Sequence, residues 1–146
     1  MIIPPDIERF IQRVRVARLA TIDSKFKPHL VPVVFVFDGH HFFIPVDEKR
    51  KTAKPEKLKR IQNIQGNPNV ALLIDEYSED WTTLAFVMIQ GIASIVKSKT
   101  QADILLQQAQ KKLITKYVQY QKTGIGEMCI MIKPEKVVSW TSSQAY

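Results

Sequence analysis

Residues 29–46 decide the fold, and they read HLVPVVFVFDGHHFFIPV. Valine, phenylalanine and isoleucine dominate both halves of this stretch, and these residues are enriched in β-strands. The pair Asp38-Gly39 stands between the halves. It is the strongest short-range hairpin signal, because both positions of such a turn need a positive φ. We therefore predict two antiparallel strands joined by a two-residue loop at Asp38-Gly39.

Further β-like runs lie on both sides of this hairpin, and helical patterns separate them. The first helix opens at Pro4-Pro5-Asp6, a second spans residues 56–65, and a long third runs from Thr100 to about Lys122. Gly91 lies inside a β-like run and predicts a bulge or a close backbone approach. The runs predict strands at 16–22, 69–75, 84–96, 127–132 and 136–141.

The number and order of these elements predict a mainly β fold. About six strands with few helices are typical of a small barrel whose ends are closed by helices. Short turns between the first strands make the sheet antiparallel. The 146 residues and 16.8 kDa fit one domain over residues 1–146. The 45% hydrophobic and 24% charged fractions are ordinary globular values and exclude long disorder.

The cysteine content and the apolar runs indicate the compartment. The single cysteine, Cys129, excludes an intrachain disulfide framework and a cysteine-based zinc site. A reducing, cytoplasmic setting is the expectation that follows. The first residues have neither the basic region nor the apolar stretch of a signal peptide. No run of about 18 apolar residues predicts a membrane-spanning helix, so we expect no membrane partner.

Positive charge is concentrated in residues 47–60. The chain has 21 Lys and Arg against 14 Asp and Glu, a net charge of +7, and this segment alone contributes 7 − 3 = +4. It leads into a predicted helix, whose free N–H groups favour anions. The segment is either an anion-binding notch or a solvated basic loop. It contains no aromatic residue on which bases could stack, which disfavours nucleic acid as a partner.

Few other residues indicate chemistry. The three histidines lack metal-ligand spacing, and neither a Ser/His/Asp set nor a Gly-rich phosphate loop is present. The acidic stretch 75–80 is either a divalent-cation site or a solvated loop; the loop is favoured, so no metal is expected. A protein that binds a redox cofactor needs no acid, base or nucleophile of its own, because the cofactor performs the difficult step.

Seven short motifs, taken in order, resemble the pyridoxamine 5′-phosphate oxidase-like family of FMN- and deazaflavin-binding split β-barrels. The likeness covers residues 13–141, and residues 77–81 look most like the small branch of probable deazaflavin-dependent proteins. It implies a six- to seven-stranded antiparallel split barrel with flanking helices, assembled as a homodimer with two cofactor clefts at the subunit interface. The motifs are VARLAT (16–21), PHLVPV (28–33), KRKT (49–52), NPNVALL (67–73), EDW (79–81), QGIA (90–93) and PEKVVSW (134–140).

The resemblance also implies which residues bind the cofactor. Those that would lie along its ring and ribityl chain are Pro32, Val33, Ile44, Pro45 and Val46. Those that would hold its phosphate match the family's Ser-Arg-Lys stretch and the residue after it, and they are Lys49, Arg50, Lys51 and Thr52. Three further residues complete the candidate set, the first two on charge and position alone: Lys57, Asn63 and Trp140.

Two positions depart from the pattern of the full oxidase. Phe86 stands where the oxidase has a glutamine that contacts flavin from the other chain. Trp140 is followed only by TSSQAY, residues 141–146, without the Arg- and His-containing substrate contacts of the oxidase. Oxidation of pyridoxamine 5′-phosphate is therefore not expected.

The function predicted from the sequence is that of a flavin-dependent oxidoreductase that binds FMN and acts on an unknown small molecule. One alternative is a reductase that uses the deazaflavin coenzyme F-420, whose acidic tail would meet lysines such as Lys54, Lys57 and Lys59. Another alternative is a non-catalytic protein that stores flavin or binds haem. The expected partners are a second copy of the chain and the small-molecule substrate.

Overall fold

The computed structural model describes residues 2–47, 57–97 and 104–142. The strands of these ranges are β1 (Ala17–Ile22), β2 (Pro28–Val33), β3 (Val36–Phe37), β4 (Phe42–Pro45), β5 (Asn69–Glu76), β6 (Ala85–Lys97) and β7 (Met128–Thr141). The helices are α1 (Pro5–Arg13), α2 (Lys59–Gly66), α3 (Ile104–Lys116) and α4 (Gln119–Thr123), with a 3₁₀ turn at Trp81–Thr83. All seven strands join one antiparallel sheet in the order β2-β1-β5-β6-β7-β4-β3.

The sheet curls around an apolar core that α1 and α2 help to close. Along β5, Val70, Leu72 and Ile74 are buried while the residues between them are partly exposed, which is the alternation of a strand with one inner face. Phe10 of α1 and Ile61 of α2 pack into the same core. The prediction of a mainly β, antiparallel split barrel with flanking helices is confirmed.

A second apolar cluster lies on the other face of part of the sheet. Neighbouring residues of β4 divide between the two clusters, because Phe42 packs into the inner core and Phe43 packs into this one. Leu106, Ala109 and Leu113 of α3 cover it, and all three are almost fully buried. These three residues belong to the apolar stripe that predicts the third helix.

The third helix is shorter than the sequence predicts. It ends at Lys116, although the helical spacing extends to about Lys122, and its predicted first residues lie outside the described ranges. At the break, the hydroxyl of Tyr117 bonds with the backbone of Arg15 and Phe35. These partners lie about a hundred residues away in sequence, so the spacing of apolar residues does not reveal them.

The predicted hairpin is confirmed only near its turn, where β3 pairs with β4, because the first part of its first strand forms β2 at the other edge of the sheet. The turn itself is displaced by one residue. The Asp38 N–H donates to the His41 carbonyl at 3.1 Å, so Gly39 and His40 are the central positions. Of these two, only Gly39 has a positive φ, +100°. The Asp38 carboxylate accepts from the backbone N–H groups of His40 at 2.8 Å and His41 at 2.6 Å. The prediction of Asp38 as a turn position is wrong, because it caps the turn through its side chain instead.

The two closing strands of the prediction form a single strand, β7, of 14 residues. Opposite Gln90 and Gly91 the pairing passes over Glu135, which makes a β-bulge. Pro134 fits beside it because a bulge needs fewer ladder N–H groups. A Cβ atom on Gly91 would lie 2.4 Å from the carbonyl oxygen of Lys133. The predicted bulge and close approach at Gly91 are both confirmed.

The acidic stretch 75–80 is held by hydrogen bonds of its own. The Asp80 carboxylate accepts from the N–H and the hydroxyl of Thr82 at 3.1 and 2.7 Å, and Arg18 pairs with Asp75 at 2.8 Å. Among the described residues, no group of three His, Cys, Asp or Glu side chains is placed to hold a metal ion. In the same ranges, no helix has the length and apolar character needed to cross a membrane.

Gly91→Ala should lower the free energy of unfolding by about 1–3 kcal/mol, the usual cost of overpacking. The added methyl group meets backbone, which a change of rotamer cannot move away. Urea denaturation measures the effect. Gly66→Ala is the matched control, because a Cβ there meets nothing within 4 Å. Equal stability of the two variants would contradict the close approach of β6 and β7.

Candidate cofactor cleft

A cleft of about 230 Å³ lies where three strand ends meet α2. Val16 precedes β1, Pro32 and Val33 end β2, Val34 follows it, and Pro45 ends β4; these stiff, apolar residues form one wall of the cleft, and Val33 packs into the inner core as well. Asp47 and Arg60 line it as well and bring opposite charges. The cleft therefore combines apolar residues with one carboxylate and one guanidinium group.

Three of the five residues predicted along the cofactor ring line this cleft, namely Pro32, Val33 and Pro45. The side chains of the other two, Ile44 and Val46, are 1% and 0% exposed and pack into the inner core. Successive side chains of a strand point to opposite faces. For this reason only the middle one of the three consecutive positions 44–46 presents its side chain to the cleft.

Most of the predicted phosphate contacts cannot be placed relative to the cleft. Four of them lie outside the described residues: Lys49, Arg50, Lys51 and Thr52. Asp47, which lines the cleft, is the last described residue before them. Lys57 is described, but its side chain is exposed and does not line the cleft.

Asn63 and Trp140 also lie away from the cleft. Asn63 is 5% exposed, its amide nitrogen donates to the Thr21 hydroxyl at 3.0 Å, and it lines a different cavity. Trp140, half exposed near the end of β7, packs against Phe86 with the ring centroids 6.3 Å apart. Within the described part of one copy, neither residue lines the cleft beside Pro32, Val33 and Pro45.

Arg60 lines the cleft but is absent from the set predicted by sequence. Its Nε atom is buried and has no hydrogen-bond partner among the described residues. Burial lowers the pKa of the guanidinium, while the Asp47 carboxylate acts in the opposite direction, so Arg60 stays charged at neutral pH. A buried donor without an acceptor is costly, and an anion in the cleft would supply one. Helical spacing pairs Arg60 with Lys57, but α2 begins only at Lys59 and the pair does not share the cleft.

The Asp47 carboxylate is fixed from α4. The Tyr120 hydroxyl donates to its Oδ1 atom at 2.8 Å. Burial, together with this carboxylate, raises the pKa of Tyr120, so the phenol keeps its proton and remains a donor. Burial and the same carboxylate raise the pKa of Cys129 to about 12. That thiol is therefore protonated and unreactive at neutral pH.

Lys116, the last residue of α3, reaches under the cleft wall. Its Nζ atom donates to the carbonyl oxygens of Val14 at 2.7 Å and Phe35 at 3.3 Å, and lies 4.1 Å from the centroid of the Phe35 ring. Burial, together with the nearby charge of Arg15, lowers the pKa of this amine to about 8. A neutral amine still has two N–H donors, one for each carbonyl.

Tyr117 holds the same segments of backbone. Its hydroxyl accepts from the Phe35 N–H at 3.1 Å and lies 2.8 Å from the Arg15 carbonyl oxygen, to which it donates. The residues next to these partners, Val16 and Val34, line the cleft. Tyr117 and the preceding Lys116 thus fix the backbone of that wall.

The sequence matches a family model over nearly its whole length. The model is described as pyridoxamine 5′-phosphate oxidase, and it covers residues 3–141. The chain belongs to this family. Membership agrees with the likeness that the seven sequence motifs predict. No curated protein matches the chain.

Solved structures with the same fold include proteins described by different ligands or activities. HutZ, the haem storage protein from Vibrio cholerae, matches with a TM-score of 0.70 at 16% identity, over 99% of this chain and 98% of that one. An FAD-binding protein from Mesorhizobium loti matches with a TM-score of 0.66 at 17% identity, over 92% and 89%. An F420 reductase matches with a TM-score of 0.61 at 20% identity, over 93% and 98%. Likeness at such identities shows the fold alone.

Lys116 should make the protein more stable as the pH rises from about 8 to about 10.5. Its pKa is lower in the folded protein than the usual 10.5, so the unfolded chain binds more protons in this window and stability increases with pH. Urea denaturation across this range measures the effect as the difference between wild type and Lys116→Met. The difference is needed because Tyr117, Tyr120 and Cys129, whose pKa values are raised, act in the opposite direction. A difference that stays constant with pH would contradict the burial of this amine.

Proposed function

We propose that the protein is a flavin-dependent oxidoreductase that binds FMN in the cleft and acts on a small molecule. The observation that carries the proposal is the Arg60 guanidinium, whose buried Nε has no acceptor among the described residues and lies beside an apolar wall of the cleft. A planar ring with an anionic tail fits such a wall and such a cation. FMN has both parts, and flavin-type names recur among proteins of this fold.

In this proposal the bound flavin supplies the electron transfer, and the chain supplies binding and orientation. Pro32, Val33 and Pro45 would contact the ring, and their stiffness would hold it in one plane. Arg60 would bind the phosphate together with residues 49–52, as the family resemblance implies. Asp47, fixed by Tyr120, would accept a hydrogen bond from a hydroxyl of the ribityl chain.

The size of the cleft supports a second copy of the chain as a partner. Sites that enclose a small molecule usually measure about 300–1,000 Å³, and this one measures about 230 Å³. The described part of one copy therefore encloses only part of a flavin. A surface that lies over the open side of the cleft would complete the site.

The outer face of the sheet is suited to be that surface. Strand pairing aligns one residue from each of five neighbouring strands across this face: Val138, Met88, Leu73, Arg18 and Pro32. The last of them, Pro32, also lines the cleft. Phe86, Trp140 and Leu30 extend this face, which is mostly apolar but also carries the Arg18–Asp75 ion pair, and Leu30 is 65% exposed. Large, mostly apolar faces mark interaction sites. We infer a homodimer in which the outer faces pack together beside the two clefts.

Two alternatives remain within the same fold, and the cleft favours them unequally. The deazaflavin coenzyme F-420 shares the ring and the phosphate, and its acidic tail would meet further lysines such as Lys59. Haem iron is held by His, Cys, Met or Tyr side chains. None of the described residues that line the cleft is of these types, so the geometry favours a flavin-type cofactor over haem.

Arg60→Ala should weaken FMN binding about 10- to 150-fold, because a charge-assisted hydrogen bond contributes about 1.5–3 kcal/mol and about 1.4 kcal/mol is tenfold. Riboflavin, which lacks the phosphate, should bind both proteins nearly equally. Fluorescence titration measures both ligands. Lys59→Ala is the matched control, because this neighbouring cation of α2 does not line the cleft. Equal weakening of FMN and riboflavin would show that Arg60 supports the fold and not the phosphate.

Leu73→Asp should dissociate the dimer and reduce FMN binding together, because it places a charge in the middle of the outer face. Light scattering and FMN titration on the same samples measure both properties. Lys111→Asp, on the exposed side of α3, is the control and should change neither. A monomeric Leu73→Asp protein that binds FMN like wild type would show that one copy forms the whole site.

A further inference from the structure

A second cavity, independent of the cofactor cleft, lies between the β1–β2 turn and α2. It measures about 330 Å³, which falls within the range of small-molecule sites. Different residues of α2 line the two spaces: Arg60 lines the cleft, whereas Lys59, Gln62 and Asn63 line this cavity. Asp23 and Phe26 of the turn form its other side.

Phe26 stands at the rim of the cavity in a strained conformation. Its φ is +60°, and it is the only non-glycine residue with a positive φ among the described residues. Its side chain is 82% exposed, so packing within the chain does not offset the strain. The β1–β2 turn uses this conformation, because the Phe26 N–H donates to the Asp23 carbonyl at 3.0 Å and the Asp23 N–H donates to the Lys27 carbonyl at 3.0 Å. The Asp23 carboxylate adds bonds from the N–H groups of Lys25 at 2.8 Å and Lys27 at 2.9 Å. The hairpin therefore accounts for the positive φ, but it makes no use of the exposed ring at the rim of the cavity.

Two amide side chains offer a matched donor and acceptor in the cavity. Asn63, 5% exposed, donates its amide nitrogen to Thr21, which leaves its Oδ1 as an acceptor without a described partner. Asn67 uses its Oδ1 to accept from the N–H and the side-chain amide of Asn69 at 3.1 and 3.0 Å, which leaves its own amide nitrogen as a donor. Both residues line the cavity.

Lys59 and Asp23 bring opposite charges to the cavity. The Lys59 Nζ atom lies 3.9 Å from the Asp23 carboxylate, and about half of the lysine side chain, 53%, is exposed. An exposed pair at that distance is weak. The ammonium group is therefore free to turn toward an anionic group of a ligand.

We propose that this cavity binds a purine mononucleotide. Its base would stack on Phe26, as bases do on exposed aromatic rings. The acceptor of Asn63 and the donor of Asn67 match the N6 amino group and the N7 atom of adenine, the edge that amide side chains recognise. The phosphate would lie near Lys59. A free nucleotide is favoured over single-stranded RNA, because proteins that bind strands stack successive bases on several aromatic residues, and this cavity presents one ring.

Titration calorimetry with AMP tests the proposal on the wild-type protein and on Phe26→Gly. Phe26→Gly removes the ring on which the base would stack, and loss of one such stacking contact weakens binding about 5- to 150-fold. The melting temperature of Phe26→Gly should not fall, because glycine adopts a positive φ without strain. This combination separates ligand binding from a structural role, which would lower stability. Lys25→Ala, in the same turn but not lining the cavity, is the matched control and should bind AMP like wild type.

Two further variants test the proposed phosphate contact and the independence of this cavity from the cofactor cleft. Lys59→Ala should weaken AMP binding and leave adenosine binding unchanged. Arg60→Ala should leave AMP binding unchanged whether or not it alters FMN binding, so failure of the flavin proposal does not affect this one. The proposal is overturned if wild type fails to bind AMP at millimolar concentration, or if Phe26→Gly binds it equally well. It is also overturned if a short RNA binds and AMP does not.

Discussion

The sheet carries apolar side chains on both of its faces, and the architecture follows from how each face is covered. The inner face closes on itself around the core with help from α1 and α2. The outer face divides in two. The part formed by β3, β4 and the first half of β7 is covered by α3 and α4. The part formed by β2, β1, β5, β6 and the second half of β7 has no helix over it within the described residues. The uncovered part ends at Pro32, in the wall of the cofactor cleft. The need to cover apolar side chains on both faces of the sheet therefore connects the core, the proposed dimer and the proposed site.

Local patterns predict much of this arrangement. The Asp-Gly signal predicts the hairpin, and Gly91 predicts the bulge, because turns and close approaches limit which residues fit. The burial of Ile44 and Val46 on either side of Pro45 also follows from strand alternation, once the strand is known. The family resemblance adds the predicted cofactor contacts, of which Pro32, Val33 and Pro45 line one cleft.

Other features depend on contacts between distant residues, and no local pattern predicts them. The end of α3 depends on the bonds of Tyr117 with Arg15 and Phe35. The position of α2 decides which cation lines the cleft: Arg60 of this helix lines it, and Lys57, just before the helix, does not. The stacking of Trp140 on Phe86 depends on the pairing of β6 with β7. In each case a side chain contacts residues that are distant in the sequence and become neighbours only when the sheet folds.

The central claim is that two incomplete clefts close around flavin when two outer faces meet. Native mass spectrometry of the protein after incubation with excess FMN tests it most directly, because it reports assembly and ligand count together. The account predicts a species with twice the 16.8 kDa chain mass that carries two FMN molecules. A monomer that carries one FMN, or a dimer that carries none, would contradict it.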